Sequence, residues 1–167
     1  MNNDFPKRKP NRLENFDYGA GYSYFITICT QDRKKMLSNI VSVGEGLAPP
    51  EIKTTQIGDI AEKQLLLLET RFPDLKIENF VIMPNHIHII FSLFTETGGA
   101  SPSPTIPNVV CAFKSQCVRE SRKIGYEGKL WQRSYHDHII RNKKDYEEIS
   151  KYIYENPINW ETDEFYN

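Results

Sequence analysis

The chain has 167 residues, 39% hydrophobic and 26% charged, with a formal net charge of −1. That length suits one domain with a proper core. No run approaches the roughly 20 apolar residues of a membrane span, and the polar start Met1-Asn2-Asn3-Asp4 has no signal-peptide character, so cytoplasmic residence is expected.

Residues 1–20 are polar, with Pro and Asn, and read as an N-terminal arm; 21–160 read as a single domain and 161–167 as an acidic tail. Tyr22 to Thr30 (YSYFITICT) is β-branched and aromatic, which predicts a strand with Cys29 in the core. Residues 38–54 hold Gly44, Gly46, Pro49 and Pro50 and read as an inserted loop. From Gln56 to Phe72, apolar residues at Ile57, Ile60, Ala61, Leu65 and Leu68 form a helical stripe that Pro73 closes.

Lys76 to Met83 and His86 to Leu93 read as two strands. Met83-Pro84-Asn85 between them is too short for anything but a tight turn, so the pair forms a hairpin. Residues 95–107 (TETGGASPSPTIP) read as a low-complexity loop. Asn108 to Lys123 predicts a basic helix with Val109, Val110, Phe113 and Cys117 inward. Tyr135 to Arg141 is a short strand. Lys143 to Glu155 is a last helix, capped by Asn142 and followed by Pro157.

Strand, helix, strand, strand, helix, strand, helix is an α+β order. Its first six elements fit the ferredoxin-like split βαβ plan. In that plan the first and third strands are central and helices cover one face. The seventh element is an additional C-terminal helix. Cys29, Cys111 and Cys117 lack CxxC spacing and read as reduced thiols.

The weak net charge conceals segregation. Residues 111–144 carry nine Lys/Arg against three Asp/Glu, and 145–167 carry one against seven. The basic block is the candidate footprint for a polyanion. Lys114, Arg119, Arg122 and Lys123 are placed to follow a phosphate backbone, and Trp131, Arg133 and Arg141 to stack on bases and hold phosphates. A lysine-rich surface helix is the plain alternative.

All four histidines fall into His-x-His pairs, His86/His88 and His136/His138. Residues two apart on a strand share a face, so each pair presents two imidazoles together, half of a metal site. If the helices cover the Ile87/Ile89 face, the first pair stands on the open face. Two surface histidines on a half-exposed strand is the alternative. On the last helix Tyr152 and Asn156 lie one turn apart. A phenol beside an amide and a cation suits attack on a phosphodiester; packing in the core is the alternative for any one tyrosine. His136 and His138 are open to metal, phosphate or carboxylate contacts, or to a structural role.

The stretches Val81-Ile82-Met83-Pro84-Asn85-His86-Ile87-His88-Ile89-Ile90, Ala112-Phe113-Lys114-Ser115, Leu130-Trp131-Gln132-Arg133-Ser134-Tyr135, Asp137-His138-Ile139-Ile140-Arg141-Asn142 and Tyr152-Ile153-Tyr154-Glu155-Asn156-Pro157 together resemble the single-tyrosine HUH transposases, and more closely their REP-associated tyrosine transposase branch. The likeness runs from about residue 20 to 160, in the family's order. It implies a nuclease and strand transferase acting on single-stranded or hairpin DNA through a 5′-phosphotyrosine. It implies Tyr152 as nucleophile and His86, His88 and Asn156 as ligands of Mg²⁺ or Mn²⁺. It implies a supporting place for His138, and a monomer or homodimer. Two other readings keep parts of the pattern: a non-catalytic ferredoxin-like nucleic-acid-binding module, and a metal phosphodiesterase that uses water.

Overall fold

Period-two alternation along β1 (Tyr22–Cys29) sends Tyr24, Ile26 and Ile28 to one face of a sheet and Phe25 and Thr27 to the other. The computed structural model describes residues 22–41, 50–94 and 104–166. The N-terminal arm, the Gly/Pro-rich centre of the 38–54 segment and most of the 95–107 loop lie outside them. β5 (His86–Leu93) runs antiparallel to β1, with Ile28 opposite Ile87, Ile26 opposite Ile89 and Tyr24 opposite Phe91. β4 (Leu75–Ile82) and β6 (His136–Ile140) flank this pair, and the strand order is β4-β5-β1-β6. The first and third strands of the ferredoxin-like plan are thus central, as the sequence predicts. The 83–85 turn closes the β4–β5 hairpin, with Met83 N–H donating to the His86 carbonyl at 2.9 Å.

The isoleucine face is covered by α1 (Gln56–Leu66), α2 (Leu68–Arg71) and α3 (Ile106–Lys123). Ala61, Leu65 and Leu68 meet Val109, Val110, Phe113 and Cys117 over Ile26, Ile28, Ile87 and Ile89. Full burial of each large aliphatic side chain stabilises by roughly 1.5–3 kcal/mol, so this layer carries most of the core. The helix predicted over 56–72 breaks at Leu67, where ψ opens to −10°. Pro107 sits in the first turn of α3, where its missing N–H costs nothing and the helix gains two residues over the expected start.

Two features differ from expectation. The 38–54 segment is not only loop: β2 (Ser38–Val41) and β3 (Glu51–Thr54) form a two-stranded antiparallel ladder, with Ile40 opposite Ile52. Strands of four residues are too short for alternation to stand out beside the Gly/Pro run. The face opposite the isoleucines is not open. α4 (Lys143–Glu155) and Trp160 cover it, packing Ile153, Tyr146 and Ile149 against Phe25, Val81, Met83, Ile90 and Ile140. The Asn142 side chain accepts from Asp145 N–H at 2.9 Å and caps α4.

Candidate active site

In the β1–β5 register His88 lies opposite Thr27 and His86 opposite Cys29, so both imidazoles rise under α4. They are 0% and 1% exposed, which overturns the picture of surface histidines. Their Nε2 atoms stand 3.1 Å apart. Asn85 Nδ2 donates to the Phe165 and Arg33 carbonyls, which leaves Asn85 Oδ1 to accept from His86 Nδ1 at 2.8 Å. On the other ring, Thr27 Oγ1 is 2.8 Å from His88 Nδ1. Asn85 thus sets the His86 proton on Nδ1 and turns its Nε2 lone pair toward His88 Nε2, while the Thr27 hydroxyl, donor or acceptor, serves either tautomer of His88. This outer hydrogen bonding is the arrangement that orients metal-ligating histidines.

The spacing fits a cation. Two nitrogens about 2.1 Å from one ion, at right angles, stand about 3.0 Å apart. Burial lowers the pKa of His86 to about 4. Burial, with His86 alongside, holds His88 well below the usual histidine value. Both rings are therefore neutral at pH 7, the form that binds metal.

Tyr152 reaches in from α4. Its hydroxyl lies 3.3 Å from His88 Nε2 and 3.4 Å from Asp163 Oδ2, and the residue is 38% exposed. Its ring meets Phe25 edge-on, centroids 6.1 Å apart. Burial, then the charges of Asp163 and Glu164, push its pKa up to about 12. Asn156, one turn on, is buried. Its Nδ2 donates to Asp163 Oδ2 at 2.6 Å, and its Oδ1 is a buried acceptor without a hydrogen-bond partner.

Asp163 is the residue that sequence reasoning missed. One ligand atom each from His86, His88 and Asp163 lie within 4.8 Å of one another. Trp160 and Phe165, two large aromatic residues in an acidic run, are buried here; they mark the run as packed but do not single out Asp163.

The remaining sequence-predicted residues fall elsewhere. His138 Nε2 is 3.0 Å from Asp145 Oδ2 and half exposed, at the rim. It lines a cavity of about 280 Å³ with His136, Thr27, Arg33 and Phe165. Trp131 is not available for base stacking: it is buried, its ring against Phe113 at 5.6 Å. Lys114 Nζ is committed to the carbonyls of Gln132 and Ser134, at 2.9 and 2.8 Å, and so braces that segment. Arg119 and Lys123 both pair with Glu120. Arg122 and Arg133 line a groove of about 570 Å³ between α3 and residues 127–133. Arg141 is exposed beside Asp145, which accepts from its backbone N–H at 3.3 Å.

Residues 68–156, more than half of the chain, match the family described as transposase IS200-like. The chain belongs to that family. Among relatives of this transposase, an uncharacterized protein of Haemophilus influenzae is 30% identical, over 95% of this chain and 93% of its own. A candidate REP-associated tyrosine transposase of the same organism is 26% identical, over 85% of this chain and 73% of its own. Among solved structures, a REP-associated tyrosine transposase bound to a REP hairpin superposes with a TM-score of 0.61 at 22% identity, covering 89% of this chain and 74% of that one. A candidate transposase from Deinococcus radiodurans gives 0.51 at 19% identity, over 86% and 96%. Both share the antiparallel four-stranded α+β fold of the transposase. None of its helices, among the described residues, is long and apolar enough to cross a membrane.

Proposed function

We propose that this transposase nicks and rejoins single-stranded DNA at hairpins through a covalent phosphotyrosine. Tyr152 Oη attacks the scissile phosphorus. The Oη–P bond forms, the P–O3′ bond breaks, the phenol gives up its proton and the departing 3′ oxygen gains one. The products are a 5′-phosphotyrosine and a free 3′-OH. Reversal by a 3′-OH restores the phenol and joins a strand, and the phosphodiester energy is retained throughout.

The observation that carries this reading is the Tyr152 hydroxyl, on a residue 38% exposed and 3.3 Å from His88 Nε2. His86 and His88, with Asn156, are the residues that would hold Mg²⁺ or Mn²⁺. Bound there, the ion supplies the positive charge that stabilises the attacking phenolate and the phosphoryl oxygens. The chain's own part is positional. β5 fixes the imidazoles, Asn85 fixes the His86 tautomer, Thr27 holds the His88 ring, and α4 aims the phenol. Arg122 and Arg133 offer phosphate contacts along the α3 groove, and His138 supports the rim. The hairpin seen in the REP-associated relative supports a hairpin substrate, bound by a monomer or homodimer in the cytoplasm.

A single-stranded oligonucleotide labelled at its 3′ end, incubated with the protein and Mn²⁺ and run on a denaturing gel, tests this. The label should become attached to protein, and Tyr152→Phe should abolish attachment. Cleavage that survives Tyr152→Phe would mean that water is the nucleophile. Binding without cleavage would mean a DNA-binding module.

A further inference from the structure

We infer that Asp163, from the C-terminal segment, is a direct carboxylate ligand of the cation held by His86 and His88. The inference rests on the metal-dependent reading above and adds to it an anionic ligand from outside the family match, which ends at residue 156.

The geometry converges on this carboxylate. Its oxygen shares a 4.8 Å sphere with one nitrogen of each imidazole. Neighbours on both sides orient it: Asn156 Nδ2 donates to Oδ2 at 2.6 Å, and Phe165 N–H donates to Oδ1 at 2.6 Å. The segment carrying it is anchored independently. Trp160 and Phe165 are buried, with the Phe165 ring 4.6 Å from that of His86. Asn85 Nδ2 donates to the Phe165 carbonyl at 2.7 Å, and Arg33 Nη1 to the Glu164 carbonyl at 3.1 Å.

Coordination chemistry agrees. Mg²⁺ and Mn²⁺ prefer oxygen donors, and two imidazoles alone favour softer ions. A carboxylate corrects that balance and offsets part of the ion's charge in a buried site. The same amide can serve twice, with Asn156 Nδ2 orienting Asp163 while the unpaired Oδ1 remains for the ion. Glu164, the adjacent acid, has its backbone carbonyl on Arg33 and is not in the ligand cluster.

The test is Mn²⁺ binding to the full chain by calorimetric titration, without DNA, with electron paramagnetic resonance of the bound ion. Asp163→Asn should weaken binding by tenfold or more and change the Mn²⁺ spectrum. Asp163→Glu, which keeps a carboxylate, should recover part of the affinity. Glu164→Gln, which removes equal charge from the next residue, should stay within about twofold of wild type. Affinity in Asp163→Asn equal to wild type, with His86→Ala binding none, would overturn the ligand assignment and leave the proposed function standing. So would equal losses in Asp163→Asn and Glu164→Gln, which would reveal a field effect only. A wild-type chain that binds no Mn²⁺ would overturn both. Circular dichroism and melting curves establish that each variant is folded. Should Asp163→Asn not fold, Asp163→Glu decides: an unchanged Mn²⁺ spectrum overturns the assignment and an altered one supports it.

Discussion

The hydroxyl of Tyr152 and Nε2 of His88 lie 3.3 Å apart, across 64 positions of sequence. One comes from a helix laid over a face of the sheet, the other from a strand that the core holds rigid. Neither contact partner is accidental to the fold. His88 is fixed by its pairing with Thr27, and Tyr152 by Ile153, its buried neighbour on α4. The proposed nucleophile and the proposed cation site meet because α4 closes the face that the ferredoxin-like plan alone would leave uncovered.

The proposed reaction should be steeply pH-dependent. Burial and the nearby carboxylates hold the Tyr152 phenol up to about 12, so without a cation almost none is ionised at neutral pH. With Mn²⁺ saturating, the single-turnover rate of adduct formation should rise about tenfold per pH unit between roughly pH 6.5 and 8.5, until it meets the cation-lowered pKa. The histidines do not add to this slope, since both are already neutral there. A flat profile would mean that loss of the phenolic proton does not limit attack.

Metal-free protein should lose stability in mild acid. His86 is depressed to about 4 in the fold, against about 6.5 unfolded. Above 6.5 neither state binds the proton. As pH falls from 6.5 towards 4, the unfolded chain takes it up and the folded chain does not, so His86 alone lowers stability by about 1.4 kcal/mol per unit, and His88, also held low, adds to the drop. Urea midpoints at pH 7.5 and 4.5 measure this. His86→Gln should narrow the difference; a variant with the full wild-type drop would place the effect elsewhere.

Much of this was legible in the residues. The hydrophobic periods gave β1, β5, α3 and α4 nearly to their ends, and the two His-x-His pairs marked the strand that matters. At the site and its surroundings three side chains were not legible, each for a physical reason. Burial of Trp131 depends on its packing against Phe113, a contact with no local signature. Lys114 reads as a free cation until its two carbonyl partners, 18 and 20 residues away, are in place. Asp163 looks like one acid among several in a tail, because only the folded chain brings it to the histidines.

Lys114 and the α3 groove should therefore separate experimentally. Lys114→Met removes two charge-assisted hydrogen bonds and should lower stability by about 1–2 kcal/mol, visible in urea melts. Arg122→Ala and Arg133→Ala should leave melting unchanged. If they touch phosphates, each should reduce the slope of log affinity against log salt by about 0.9. An unchanged slope in both would put the DNA path off this groove.

Gly58 tests the join between α1 and the β2–β3 ladder. Thr55 caps α1 by accepting from Gly58 N–H at 3.1 Å, and the Thr55 hydroxyl also donates to the Met36 carbonyl at 2.6 Å. These bonds draw the first turn of the helix onto the backbone of Met36 and Leu37 so closely that a Cβ at position 58 would collide with the Leu37 carbonyl oxygen. In an exposed helix Gly→Ala stabilises by up to about 1 kcal/mol. Here the clash is with backbone, which cannot rotate away, so Gly58→Ala should instead destabilise by about 1–3 kcal/mol, or roughly 3–10 °C in melting temperature. Because the site lies on the other side of the sheet, Mn²⁺ affinity of the folded variant should be unchanged; a stabilised Gly58→Ala would show that α1 sits further from Leu37 than the geometry requires.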